Sequence, residues 1–290
     1  MAWILSLSKA SIPFHPSCTS AGNITTLLRF IMARNRPFYL ALIAVALLVG
    51  CAPLRPLSPG RPISQDQAHY LITQMRAQAN EVFSFVGMGK LLFRKGQEET
   101  YINLLAVGQR PSRIRLELTH TWGKPLIFLV ADKRNTSLLS FIEHTFYSGP
   151  STGLQGGLYF PFELDLEAIW VILSGRIPIL SHCRVESLGP NEITLFDGQG
   201  QMVERLTFAQ DCSIPTSIHI PGQGLTVALS QFKQGGLGPY PSKISISQGD
   251  ELHVEIRYTS IEFNRPIPEE LFALNPPPDV RIIRKNDQGQ

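Results

Sequence analysis

The sequence lacks an apolar run long enough to cross a membrane as a helix. Its strongest candidate, residues 40–49, has about half of the ~20 apolar residues that a bilayer-spanning helix needs. That length is typical of the apolar region of a signal peptide. A start and a short basic segment (32–36) precede it, so we interpret residues 32–50 as a signal peptide. Residues 1–31 contain no acidic residue, and we interpret them as an upstream extension from a misassigned start.

Cysteine is scarce as well, with four in the chain. The apolar run ends in the sequence LVGC, whose cysteine is Cys51. This ending resembles the lipobox of bacterial lipoproteins, which implies cleavage before Cys51 and a diacyl group on its sulfur. The alternative is a buried thiol at the end of a core helix. Residues 51–62 contain four prolines, which favours an extended tether after the lipidated cysteine.

Two cysteines, Cys183 and Cys212, remain for an intramolecular disulfide, because Cys18 belongs to the excluded leader. An oxidising compartment would permit the bond. A simple strand meander would instead place the two cysteines at opposite ends, too far apart, so the pairing stays open. No CxxC or His/Cys spacing suggests a metal. We predict no metal and no cofactor other than the covalent lipid on Cys51.

Basic residues are not in excess once the leader is removed. The leader holds four of the 26 Lys and Arg residues and none of the 23 acidic ones. The chain from Cys51 onward therefore has 22 basic and 23 acidic residues and a formal charge of −1. It contains no basic cluster of the kind that a nucleic-acid surface needs, and we expect no nucleic acid among its partners.

The rest of the sequence predicts a mainly β (α+β) domain over residues 63–275. Ser64 begins a capping box, and apolar residues at helical spacing predict an amphipathic helix over 64–82. A second, short helix is predicted over 165–174, with Asp165 as its N-cap. Elsewhere a period of two predicts antiparallel strands. These strands cover residues 83–93, 100–107, 113–118, 126–131, 138–146, 183–188, 191–197, 202–209, 214–220, 224–233, 242–248 and 252–263.

We expect the sheet to curl into a half-open barrel with an apolar cavity under the few covering helices. Segment 113–118 alternates between aliphatic and charged residues, so one of its faces is apolar. The alternative is an ordinary packed core. The residues predicted to line the cavity are Phe85, Leu91, Phe93, Ile102, Leu104, Ile114, Leu116, Leu118, Phe128, Val130 and Trp170. The tail, residues 276–290, is predicted to be disordered.

Catalytic motifs are missing: there is no GxSxG, HExxH, GxGxxG or P-loop pattern. Glu163, Asp165 and Glu167 are close in sequence and could form an acid/base pair. They lie at a predicted helix start, however, where the helix dipole and free amides favour carboxylates. We therefore predict a structural role for these acids and no enzymatic activity.

Several motifs resemble the outer-membrane lipoprotein receptor LolB, a member of the LolA/LolB-like superfamily. Segment 113–123 (RIRLELTHTWG) is similar to a family strand ending in RLxLT, followed by a turn with an exposed apolar residue before glycine. It is preceded by GMG at 87–89. The helix in 166–178 ends with a match to LxGxP. Segment 261–274 is more similar to other members of the wider superfamily.

This resemblance implies a lidded barrel whose apolar cavity receives the acyl chains of lipoproteins from a periplasmic LolA-like carrier. It also implies a monomer that is lipid-anchored to the outer membrane and faces the periplasm. By position, Trp122 corresponds to the protruding residue of the membrane-insertion loop; the alternative is a core tryptophan at a strand end. The chain departs from the family in having His120-Thr121 where proline is common, and in its longer tail.

Two other functions fit the same features. One is a regulatory module that senses lipids or lipoproteins in the cell envelope. The other is a carrier of another lipid or glycolipid. Dependence of lipoprotein transfer on Trp122 would distinguish a receptor from a sensor.

Overall fold

The computed structural model describes residues 62–151, 162, 164–210 and 214–284. Its first element is helix α1, Gln65–Asn80. The helix begins where predicted because the Ser64 hydroxyl accepts a hydrogen bond from the backbone N–H of Gln67 at 3.3 Å. One side of α1 is buried against the sheet, so the helix is amphipathic as its spacing predicts.

One 14-stranded sheet forms most of the fold. Its neighbours run in the order β14-β6-β5-β4-β3-β2-β1-β13-β12-β11-β10-β9-β8-β7, so the sheet does not close into a barrel. The prediction of a mainly β, curled and open antiparallel sheet with two helices is confirmed. The strands are β1 Ser84–Lys95, β2 Glu98–Gln109, β3 Arg113–Thr119, β4 Pro125–Ala131, β5 Asn135–Ser140, β6 Thr145–Pro150, β7 Arg184–Gly189, β8 Glu192–Phe196, β9 Met202–Phe208, β10 Pro215–Ile220, β11 Leu225–Gly235, β12 Gly238–Gln248, β13 Leu252–Phe263 and β14 Arg281–Arg284.

The second helix, α2, spans Leu166–Leu173 and crosses the concave face of the sheet. The Asp165 carboxylate caps it by accepting from the N–H of Ala168 at 2.6 Å. The helix ends at Ser174, and Gly175 follows with φ +72°, a conformation that disfavours side chains. The structural interpretation of Asp165 is therefore confirmed. Six of the eight residues of α2 are buried, so the helix is a component of the core.

The sheet has two ends where its strands begin and end, and these two ends differ. We call the end with the β1–β2, β3–β4 and β5–β6 turns the turn end. The opposite end, with the β2–β3 turn, is the helix end. Helix α2 lies at the helix end, because its residue Glu167 contacts Arg110 and Ser112 in the β2–β3 turn. Helix α2 therefore covers the helix-end half of the concave face around β1 and β2, whereas α1 begins beside β7, where the Gln65 amide donates to the Val185 carbonyl at 2.7 Å.

The strand predicted over 138–146 is wrong, because two strands, β5 and β6, occupy that region. Residues 141–144 form a turn without glycine or proline, so the usual turn signal is missing. Side chains stabilise the turn instead: the Ser140 hydroxyl accepts from the N–H of Glu143 at 3.1 Å, and the Thr145 hydroxyl donates to the Glu143 carbonyl at 3.0 Å.

The disordered tail predicted over 276–290 is also wrong in part. Residues Arg281–Arg284 form β14, which pairs in parallel with β6 and covers that edge of the sheet. The chain reaches β14 across the convex face, where a short 3₁₀ helix, Glu269–Phe272, packs near β3. Residues 285–290 lie outside the described residues.

In the part of the chain that the structure describes, no helix has the length and apolar character needed to span a membrane. The predicted signal peptide (32–50) and the tether up to residue 61 lie outside that part. The same holds for Cys51 and for the upstream segment 1–31.

Candidate functional site

Five of the predicted cavity residues on the concave face are buried: Phe85, Ile102, Leu104, Ile114 and Trp170. Phe85 and Trp170 are each 0% exposed, and their rings meet edge to face with centroids 5.4 Å apart. They belong to a contiguous apolar cluster that joins both helices to the sheet. These side chains therefore fill the space that they were predicted to line.

Four other predicted residues, Leu91, Phe93, Leu116 and Leu118, are only partly buried. They face the same side as the core residues, as the strand pairing shows. Leu91 pairs with Ile102, which is buried, and Leu118 pairs with Leu104. The concave face is thus fully packed beneath α2 and less tightly covered toward the turn end.

Phe128 and Val130 do not belong to this face, and their assignment to the cavity is wrong. They pair with Glu117 and Arg115, whose side chains alternate away from the concave face. Phe128 instead packs edge to face on Phe141, with centroids 5.0 Å apart, and lies under the Arg115 guanidinium. The other, alternate residues of β4, including Leu129, face the concave side.

A partly open space on the concave side, lined by described residues, measures about 50 Å³. It lies between α1, the segment after α2, and strands β10 to β12. Pockets for small ligands usually have volumes of ~300–1,000 Å³. This space is therefore too small for an acyl chain, and beneath α2 the expected cavity is replaced by packed side chains.

Arg110 holds α2 against the helix end of the sheet. Its guanidinium donates to the Glu167 carboxylate at 2.8 Å and to the carbonyls of Ala79 and Val82 at 3.1 and 3.0 Å. The same group lies 4.5 Å above the Trp170 ring. One side chain therefore joins the β2–β3 turn, the end of α1 and the beginning of α2. The Ser112 hydroxyl donates a further hydrogen bond to Glu167.

Tyr258 fixes the other end of α2. Its hydroxyl donates to the carbonyl of Leu173 at 2.8 Å, and burial raises the pKa of the phenol. The ring lies against Gly87, where an added Cβ would approach it to 2.5 Å. Gly87 of the GMG motif is therefore required for close packing of β1 under this tyrosine.

Trp122 lies at the tip of the β3–β4 turn and is 74% exposed. The turn is tight: the N–H of His120 donates to the Lys124 carbonyl and that of Gly123 to the His120 carbonyl, each at 2.7 Å. Gly123 has φ +89°, which favours glycine. The imidazole of His120 stacks on the indole at 3.2 Å between centroids.

A second exposed apolar side chain was missed by the sequence interpretation. Ile142 lies in the β5–β6 turn and is 61% exposed. This turn neighbours the β3–β4 turn at the turn end of the sheet, because the N–H of Phe141 donates to the carbonyl of Leu126 at 3.0 Å. The misplaced strand 138–146 concealed this turn.

Glu204 on β9 is a buried carboxyl group that was also missed. It faces the concave side beside Leu206, and its Oε2 accepts from the N–H of Leu180 at 2.9 Å. Its Oε1 has no hydrogen-bond partner in the described part of the chain. Burial raises the pKa of Glu204 to about 8, opposed by the Leu180 hydrogen bond and by the charge of Arg76. The alternation of inward and outward residues along β9 is the sequence signal that could have identified Glu204 as facing inward.

The thiol of Cys183 is free and exposed, whereas Cys212 lies outside the described residues. Among residues that the structure describes, no three His, Cys, Asp or Glu side chains are grouped so as to hold a metal ion.

No protein-family model matches the chain, and no curated protein sequence matches it. Similar solved structures include a DUF1329 family protein from Desulfovibrio piger ATCC 29098, with 9% identity, 73% of this chain and 97% of that chain covered, and a TM-score of 0.46. A LolA superfamily protein from Nitrosomonas europaea has 13% identity, coverage of 70% and 97%, and a TM-score of 0.46. A candidate outer membrane lipoprotein-sorting protein domain from Vibrio parahaemolyticus has 8% identity, coverage of 72% and 97%, and a TM-score of 0.42. Such low similarity carries no functional argument.

Proposed function

We propose that this chain is a lipid-anchored outer-membrane protein that binds the acyl chains of lipoproteins and helps to insert them into that membrane. The anchor would be the lipid on Cys51, and the donor a periplasmic LolA-like carrier. The protein would act as a monomer and without enzymatic chemistry. Movement of an acyl chain needs a continuous apolar path and no bond breaking.

The exposed indole of Trp122 carries this proposal. A tryptophan that is 74% exposed at the tip of a turn adds nothing to the core. Its ring is suited to a membrane interface, where the apolar part enters the lipid and the N–H stays hydrated. Ile142 on the neighbouring turn adds a second apolar contact on the same end of the sheet.

Acyl binding at the helix end requires α2 to move, because its side chains fill that half of the concave face. Each CH₂ removed from water contributes ~0.8 kcal/mol, so an acyl chain of about 16 carbons gains on the order of 10 kcal/mol. Exposing one large buried side chain costs ~1.5–3 kcal/mol. Full displacement of α2 would expose five such side chains besides Ala168, at a cost of the same order as the gain from the acyl chain. The two contributions are therefore close to balanced. The described packing would then be the closed state.

Transfer of an acylated protein from a carrier to membranes tests the proposal. We expect Trp122→Glu to abolish insertion, because a carboxylate at the tip would have to enter the interface. The matched control is Leu188→Glu, since Leu188 is also exposed (61%) but lies at the opposite end of the sheet. Equal transfer by both variants would contradict the proposed role of Trp122.

A second candidate function is a lipid-sensing regulatory module or a carrier of another lipid. The packed concave face favours the sensing module, because a sensor does not need a permanently open cavity. Binding of a membrane partner domain that tolerates Trp122→Glu would favour the sensor over the receptor. Mass spectrometry of lipids that co-purify with the protein would identify the cargo of a carrier.

A further inference from the structure

Arg176 is a buried cation without a carboxylate partner. It follows α2 directly, is 8% exposed, and forms no ion pair with any described residue. Its Nη1 donates to the carbonyl of Pro239 at 3.0 Å, and its Nη2 to that of Leu237 at 2.9 Å. The guanidinium carbon lies 5.8 Å from the ring centroid of Phe263. The two carbonyls and the ring supply partial negative charge, but no full counter-charge.

This arrangement is unfavourable without an anion. A charge that is withdrawn from water normally has a paired opposite charge. Burial lowers the pKa of Arg176, and Glu81 opposes this effect without contacting it, yet arginine stays protonated in proteins. The Nε–H donor of Arg176 has no hydrogen-bond partner among the described residues, and its positive charge has no carboxylate opposite it.

Arg176 also lines the small space of about 50 Å³ described above. One water molecule occupies ~30 Å³ of liquid volume, so this space can hold a group of two or three heavy atoms, such as a carboxylate or the outer oxygens of a phosphate. Gln78, an exposed residue of α1, lines the same space. Its other walls include Met75, Leu229 and Phe232, which suit the first methylene groups of a chain.

We propose that Arg176 binds the anionic headgroup of an acyl lipid, a carboxylate or a phosphate, at the end of the concave face. The guanidinium donates charge-assisted hydrogen bonds to the headgroup, and the tail continues over the apolar side chains beside it. This inference rests on acyl-chain binding in the form of the second candidate function, a carrier of another lipid, because the acyl groups of a lipoprotein have no anionic headgroup; it narrows that lipid to an anionic amphiphile. A fatty acid and a phospholipid would both supply that group.

Calorimetric titration with three ligands of one tail length tests the inference: decanoate, decyl phosphate and decanol. We expect the wild-type protein to bind one of the two anions about 10- to 100-fold more tightly than decanol, from the strength of a charge-assisted hydrogen bond. Arg176→Gln should remove this preference without changing decanol binding. Arg176→Lys should keep part of it. The control is Arg265→Gln, an exposed arginine on the same side of the fold.

Arg176→Gln also removes the bonds to Leu237 and Pro239, so the wild-type protein needs its own readout. The carboxyl carbon of ¹³C-labelled decanoate should titrate about one pH unit or more lower when bound than when free, because the guanidinium stabilises the carboxylate. The relative affinities for decanoate and decyl phosphate then distinguish a fatty acid from a phospholipid.

The titrations distinguish failure of the anionic site from failure of acyl binding. Equal wild-type affinity for all three ligands, with an unshifted carboxyl titration, would overturn the anionic site and leave acyl binding intact. Such a result would mean that the space holds only water. Absence of binding for all three ligands would overturn acyl binding itself.

Discussion

The helix-end and turn-end halves of the concave face differ in the size of their inward residues and in their packing. At the helix end, most inward positions of β1 and β2 are small, such as Ala106 and Gly108, whereas at the turn end most are larger aliphatic and aromatic residues. At the helix end, Phe85 and Ile114 are buried under α2. At the turn end, Phe93 and Leu118 are only partly buried. Covering helices, and not the alternation itself, therefore decide where the face becomes a packed core.

This difference indicates how a ligand could enter. The helix end is held by the Arg110 contacts and by Tyr258, both of which join α2 to strands. The partly buried residues of the turn end lie between that packed region and the tip with Trp122. An acyl chain could start at the turn end and advance by displacing α2. On this view, the stability of the fold is concentrated at the helix end.

The largest expected effect is that of Trp170→Ala. Removing a buried tryptophan should lower the free energy of unfolding by about 3–5 kcal/mol. Leu118→Ala, at the partly buried turn end, should cost about 1 kcal/mol. Denaturant unfolding of both variants measures the contrast. Equal losses would show that the two halves are packed alike.

The next effect concerns the carboxyl group of Glu204 and depends on pH. Its pKa is about 8 in the folded protein, against an ordinary value of 4.5. The unfolded chain therefore releases this proton first, and its contribution destabilises the fold progressively as the pH rises from about 4.5 to 8. Glu204→Gln should remove this loss of stability, which is a few kcal/mol at most. The free energy of unfolding of the variant, relative to that of the wild type, should therefore increase across that range. Unfolding at several pH values measures this gain, and a constant difference would contradict it.

Arg110→Met should have a smaller effect that is local to α2. The ion pair with Glu167 is partly exposed and contributes little by itself, but the bonds to Ala79 and Val82 are lost as well. We expect a loss of about 1–3 kcal/mol and faster hydrogen exchange in α2 than in β12 or β13. Arg265→Met is the control. Uniformly faster exchange would mean that Arg110 does not hold α2 selectively.

The residues of β1 to β3 that face the concave side were predicted correctly from the sequence. Those of β4 were not, for a physical reason. In β3, charges at alternate positions identify the outward face. Residues 125–131 (PLIFLVA) are apolar throughout, so alternation carries no information there. The register is set by the tight turn and by an irregularity between Leu118 and Thr119, and a shift of one residue exchanges the two faces. Phe128 and Val130 were therefore assigned to the wrong side.

The helix caps were predictable because they depend on local sequence, as Ser64 and Asp165 show. The packed interior and β14 were not, because both depend on segments distant in the chain. Arg110 contacts Glu167 across 57 positions, and Ile282 pairs beside Phe146 only after the chain has crossed the convex face. Glu204 was missed for the same reason, because its burial depends on the segment around Leu180, 24 positions earlier in the chain.

The smallest expected change in stability is that of Trp122→Glu, and this is what makes the variant informative. The side chain lies beyond the packed region, and surface substitutions usually change the free energy of unfolding by less than about 0.5 kcal/mol. The stacking on His120 is lost, while the backbone hydrogen bonds of the turn and the φ of Gly123 do not depend on the indole. Thermal unfolding should therefore match that of the wild type and of Leu188→Glu. A loss of lipoprotein insertion by this fully folded variant would then reflect membrane contact at the turn end, whereas a marked loss of stability would place Trp122 among the structural residues.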